Sequence, residues 1–212
     1  MPLIQKSDIV PQGIFGIWQN HESDEYFLSG LDLYPSEIAE VASLKSRKKT
    51  EWLSSRFLLH LLSERKLRGA CLKDKYGKPY LDGSDHFISI SHTLDYTAVI
   101  ASRLIVGIDI QVILEKIERI SGKFIREDEF KFIPEIDKIL YYHTIWGAKE
   151  SMYKAYGRKE LDFKHHMSVK PFIFDTNGFY FEGEVKKNNF FRKYRLFCSQ
   201  TDNIVLVYAV EQ

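Results

Sequence analysis

Val106-Gly107-Ile108-Asp109-Ile110-Gln111 alternates aliphatic residues with small or polar ones at a period of two. That is the pattern of a strand burying Val106, Ile108 and Ile110 on one face and carrying Gly107, Asp109 and Gln111 together on the other. Asp is unfavourable inside a strand, so Asp109 has a cost that a bound partner would explain. A second stretch, Trp146-Gly147-Ala148-Lys149-Glu150-Ser151-Met152-Tyr153-Lys154, puts Lys154 four residues after Glu150. On a helix both side chains project from one face, a turn apart. A fold that sets this strand beside this helix makes a site of two carboxylates and one ammonium. Hard oxygen ligands suit Mg²⁺, which takes one or two protein carboxylates and fills its other positions with water and substrate phosphates. Read alone, Glu150 and Lys154 could equally be an ordinary helical ion pair.

Working outward, Ile14 to Trp18 reads as a strand, Asn20 to Glu25 as a polar stretch, and Pro35 to Leu44 as a helix with proline in its first turn. Between Lys48 and Lys66, Trp52, Leu53, Phe57, Leu58, Leu59, Leu61 and Leu62 recur at helical spacing among basic residues. Gly77-Lys78-Pro79 and Asp82-Gly83 then punctuate short extended segments, and Phe87 to Ser91, Thr97 to Ser102 and Ile105 to Gln111 read as strands. The second half repeats helix then sheet. Helical patterns cover Leu114 to Ile125 and Glu135 to Tyr156, with Gly157 as a natural stop. Strands are expected at Ser168 to Phe174, Gly178 to Lys186, Lys193 to Ser199 and Ile204 to Val210. The class is therefore α+β: an N-terminal subdomain, residues 1–104, and a C-terminal one, residues 105–212, each with helices on a sheet.

Composition bounds the function. At 44% hydrophobic, the 212 residues can bury a substantial core, so disorder is not expected. Thirty Lys plus Arg against twenty-nine Asp plus Glu leave a formal charge of +1, which argues against a nucleic-acid binder. Cys71 and Cys198 stand far apart without metal-like spacing, the usage of a reducing compartment. Gln5, Lys6, Ser7 and Asp8 are too polar for a signal peptide, and no run approaches the ~20 apolar residues of a membrane span, so a soluble cytoplasmic protein is expected. His165-His166 has no third ligand suitably spaced and reads as surface loop, and no nucleophile-elbow sequence supports Ser-His-Asp hydrolysis.

Gly107-Ile108-Asp109 followed by Trp146-x-x-Lys149-Glu150-x-x-x-Lys154 resembles the signature of the 4′-phosphopantetheinyl transferases. Tyr76-Gly77-Lys78-Pro79, Ile88-Ser89-Ile90-Ser91-His92 and the basic helix Arg47 to Arg56 agree with the larger, surfactin-synthetase-activating type of that family, in the family's order. Each motif recurs by chance; five in register do not.

The resemblance implies a pseudo-twofold pair of similar α+β subdomains with the active-site cleft between them. It also implies a magnesium-dependent transfer of the 4′-phosphopantetheine arm of coenzyme A to a serine of an acyl or peptidyl carrier protein, releasing adenosine 3′,5′-bisphosphate. Asp109 and Glu150 would hold the metal, with Gln111 standing where many relatives carry a third carboxylate. Glu150 would also be the base, and Lys154 would steady a phosphate oxygen. Ser91 and His92 would contact phosphates of coenzyme A, Lys78 and Pro79 would lie against its adenine nucleotide, and Arg47 and Arg56 would meet its 3′-phosphate. Lys116, Lys123 and Arg126 are candidates for docking the acidic carrier protein, and a monomer is expected. Two other readings are a non-catalytic coenzyme A binding relative, in which Gln111 has cost the metal, and a nucleotide pyrophosphatase needing no protein acceptor.

Overall fold

A computed structural model describes residues 2–212, and they divide into two compact units that meet in sequence between Leu104 and Ile105. The N-terminal unit runs β1 (Leu3–Asp8), β2 (Gly13–Gln19), α1 (Asp24–Ser29), α2 (Pro35–Ser43), α3 (Ser46–Ser63), β3 (Cys71–Lys73), β4 (Pro79–Leu81), β5 (Phe87–Thr93) and β6 (Tyr96–Ser102). Its strands form one antiparallel sheet in the order β1-β2-β6-β5-β4-β3. Helix α3 lies on this sheet because its apolar stripe has nowhere else to be buried. Trp52, Leu53, Leu58, Leu59 and Leu62 pack with Trp18, Ile88 and Val99 in one core.

The C-terminal unit runs β7 (Val106–Val112), a 3₁₀ turn (Glu115–Ile120), α4 (Ser121–Phe124), α5 (Glu127–Phe130), α6 (Lys138–Tyr156), β8 (Met167–Val169), β9 (Phe179–Lys187), β10 (Phe190–Thr201) and β11 (Ile204–Glu211). The antiparallel order β7-β11-β10-β9-β8 puts the first strand of the unit beside the last, Asp109 opposite Val207. Helix α6 covers the sheet, with Ile145, Ala148, Met152 and Ala155 meeting Val205, Val207 and Ala209 in the core. It ends where Gly157 takes the left-handed conformation (φ +69) and donates its N–H to the Tyr153 carbonyl at 3.0 Å, as Gly157 led one to expect.

The α+β class and the long helices follow the sequence reading. Several segments differ from it, among them β1 and α5, neither of which was expected. Leu114 to Ile125 is not one helix but a 3₁₀ turn and a single α-turn, and the strand expected over Ser168 to Phe174 pairs only as Met167–Val169. Within and beyond the stretch read as polar connection, Ser23 caps a short helix, α1, through its hydroxyl. Both cysteines are buried free thiols. No helix among the described residues is long and apolar enough to cross a membrane.

Candidate active site

Two glycines let α6 lie directly on β7. A Cβ on Gly107 would stand 1.9 Å from the Ser151 carbonyl oxygen. One on Gly147 would stand 2.7 Å from Val207 Cγ2 and 2.8 Å from Gln111 Nε2. The Ser151 hydroxyl then donates to the Val207 carbonyl at 2.9 Å and pins the helix to β11. Alternation along β7 turns Gly107, Asp109 and Gln111 toward this helix, so the face that carries the acid is covered rather than left to solvent.

This contact brings Asp109, Glu150 and Lys154 together. The Lys154 ammonium donates to Asp109 Oδ1 at 2.8 Å and to the Ile108 carbonyl at 2.9 Å, while Asp109 is only 6% exposed. Lys154 therefore pairs across to the strand. Glu150, one turn earlier, is half-buried, and its carboxyl is pushed up to about 7. Burial is the main cause and the Asp109 charge the second, with Lys154 opposing both. Two carboxylates share one ammonium here, so ionising the second is resisted, and a hard cation would reverse that. No three His, Cys, Asp or Glu side chains cluster among the described residues, and two carboxylates are the protein share that Mg²⁺ accepts. The donor set fits that ion.

Gln111 stands differently from its expected place at a metal. Its Oε1 accepts from His143 Nδ1 at 2.9 Å and its Nε2 donates to the His143 carbonyl at 3.1 Å, so both ends of the amide are engaged. The His143 Nε2 in turn accepts the Leu114 N–H at 3.0 Å, and burial holds the imidazole below its ordinary pKa. A neutral histidine with its proton on Nδ1 serves both Gln111 Oε1 and the Leu114 N–H. Gln111 is a strut between β7 and α6. Sequence reading missed His143 because nothing in its spacing sets it apart from the rest of α6.

Lys149, adjacent to Glu150, points the other way. It is wholly buried, and its ammonium donates at 2.7 Å to both the Phe124 carbonyl and Glu129 Oε2. Burial lowers its pKa and the Glu129 charge opposes that. Glu129 also accepts the N–H groups of Arg126 at 2.9 Å and Val169 at 2.8 Å, so one carboxylate ties α5, α6 and β8 together. Glu129 lies in a segment whose sequence carries no motif.

In the N-terminal unit the other expected residues fall on three elements. His92, near the end of β5, holds the Glu51 carbonyl of α3 through Nε2 at 2.9 Å, and Ser91 beside it is buried. Lys78 and Pro79 follow a β3–β4 turn in which Asp74 Oδ1 accepts the N–H groups of Tyr76 at 2.8 Å and Lys78 at 2.9 Å. Gly77 supplies the positive φ of +89 that this turn needs. Arg47 is exposed and pairs with Glu51 at 2.7 Å. Arg56 is only 5% exposed and its guanidinium lies 4.1 Å over the Trp52 ring, an interior placement unlike that of Arg47. Lys116 and Lys123 are exposed, and Arg126 pairs with Asp128 at 3.0 Å.

Residues 105–209 match the family model of the 4′-phosphopantetheinyl transferase superfamily. Over 111 residues the chain is 31% identical to the 4′-phosphopantetheinyl transferase gsp of Aneurinibacillus migulanus, an alignment covering 51% of this chain and 46% of that protein. The chain thus spans about half the length of the curated relative it matches.

Proposed function

We propose that the chain, whose residues 105–209 match the 4′-phosphopantetheinyl transferase superfamily, moves the 4′-phosphopantetheine arm of coenzyme A to a serine hydroxyl of a carrier protein. The observation that carries this reading is the convergence of Asp109, Glu150 and Lys154 at the β7–α6 contact. The serine oxygen forms a bond to the phosphorus that bears the pantetheine arm. The anhydride bond to the adenosine-bearing phosphate breaks, and adenosine 3′,5′-bisphosphate leaves with the electron pair.

Asp109 and Glu150 would hold Mg²⁺, which when bound supplies charge neutralisation at the pyrophosphate. Glu150, the second carboxylate at the contact, is the group we assign as acceptor of the serine proton. Lys154, held by Asp109 and the Ile108 carbonyl, keeps a fixed positive charge where negative charge grows on the phosphate oxygens. In the N-terminal unit, Ser91, His92, Lys78, Pro79 and Arg47 are the groups we assign to coenzyme A; the buried Arg56 is left out of this set. Because both ends of Gln111 are engaged by His143, we rest the metal site on Asp109 and Glu150 alone.

The test is chromatographic: adenosine 3′,5′-bisphosphate should accumulate only when an apo carrier protein, coenzyme A and Mg²⁺ are all present. Release without any carrier protein would make the protein a pyrophosphatase and refute the transferase reading.

A further inference from the structure

The N-terminal unit has a cavity of about 200 Å³ beside the C-terminal half of α3, whose wall joins apolar side chains such as Ile14, Leu59, Leu62 and Leu81 to the charged Arg65, Arg68 and Asp82. Two polar side chains on its wall lack what their neighbours have. The Nε–H of Arg56 is buried with no acceptor among the described residues, and so is Nδ1 of His60. The rest of the Arg56 guanidinium lies over the Trp52 ring and has few acceptors. Nη1 donates to the Ser55 hydroxyl at 3.1 Å, and the nearest carboxylate, Glu40, stands 4.0 Å from Nη2 and gives its other oxygen to Lys73 at 2.8 Å. Arg68 on the same wall shows the contrast: both Glu37 oxygens and the Asp32 carbonyl accept from it.

Buried donors in native folds are nearly always paired, so an orphaned N–H of a buried cation beside an open cavity points to an acceptor that arrives with a ligand. We propose that this cavity binds a small organic carboxylate with a compact apolar body, a site separate from the one formed by Asp109, Glu150 and Lys154. The carboxylate supplies acceptor oxygens for Arg56 and His60, charge-assisted at the guanidinium. The apolar body takes the place of water against the leucines and isoleucine. An apolar cavity of roughly 150 Å³ accommodates benzene, so benzoate or hexanoate is of the right size.

The test is calorimetric titration of the full chain with benzoate and hexanoate, with benzyl alcohol and hexan-1-ol as neutral counterparts and inorganic phosphate as a compact anion. Saturable carboxylate binding is expected, with the alcohols at least roughly tenfold weaker because a charge-assisted hydrogen bond is missing. Ala101→Leu fills the cavity from β6 and leaves both polar groups in place, and Arg56→Met removes the guanidinium. Each should weaken binding by about tenfold or more. Should Arg56→Met fail to fold, Ala101→Leu and amide shift mapping of the unaltered chain decide, with changes expected over residues 59–63 and at Leu81. Failure of both carboxylates to saturate, equal binding of the alcohols, competition by equimolar phosphate, or shifts confined elsewhere would overturn the proposal. Displacement of benzoate by coenzyme A would also overturn it, by making the cavity part of the coenzyme site.

Discussion

At the scale of single residues, Gly107 matters because it has no side chain. With a Cβ only 1.9 Å from the Ser151 carbonyl, Gly107→Ala must push α6 off β7, and overpacking of this kind costs about 3 kcal/mol. Urea unfolding should register that loss, and transfer should fall further than stability does, because Lys154 would no longer reach Asp109. Glu150 gives a pH signature of opposite sign to that of most paired carboxylates. Its folded pKa is raised to about 7 from an ordinary 4.5, so its contribution to stability is fully present below 4.5 and is lost as pH rises through 7. With EDTA present, Glu150→Gln should gain on the unaltered protein between pH 4.5 and 8, by on the order of 2 kcal/mol after solvent screening. A difference that does not change with pH would mean that Glu150 ionises without resistance. The strand face of Asp109 and the shared helix face of Glu150 and Lys154 were legible from their spacing; that the two faces meet was implied only by the family resemblance. The role of Gln111 was not, because a partner thirty-two residues away is a property of the packed helix.

At the scale of elements, buried ion pairs fix the connections that have little core of their own. Glu129 serves Lys149 and two backbone N–H groups, so Glu129→Ala would strand a buried ammonium, at a cost of about 3–5 kcal/mol. Adding Lys149→Met should recover part of that loss, with a coupling of about 2 kcal/mol in a double-mutant cycle; strict additivity would show that the two do not act as a pair. These ties also explain what the sequence could not disclose. The apolar residues Ile117, Ile120, Phe124 and Ile125 suggest a helical period, but the chain here is shaped by Phe124 giving its carbonyl to Lys149 and Glu129 capping the Arg126 N–H. Where an element carries its own stripe, as α3 does with Trp52, Leu53, Leu59 and Leu62, the sequence reading of its type holds.

At the scale of the whole molecule, the family match and the carboxylate site lie in residues 105–209, while the groups assigned to coenzyme A lie in the N-terminal unit. The two sets should separate in steady-state kinetics. His92→Ala, which removes a side chain fixed to α3, should raise KM for coenzyme A by about tenfold with a smaller change in kcat, whereas Asp109→Ala should lower kcat. A change in kcat alone for His92→Ala would remove it from the coenzyme set. The α+β class was legible throughout because helical and strand periods alternate in blocks; the pairing order of either sheet was not, since it depends on contacts between distant strands. The most direct measurement is the intact mass of an apo acyl carrier protein after incubation with this protein, coenzyme A and Mg²⁺. The expected result is a gain of one phosphopantetheine group that disappears with EDTA and with Asp109→Ala. An unmodified carrier protein, across fatty-acid, polyketide and peptide types, or a gain that survives Asp109→Ala, would contradict the site described for β7 and α6.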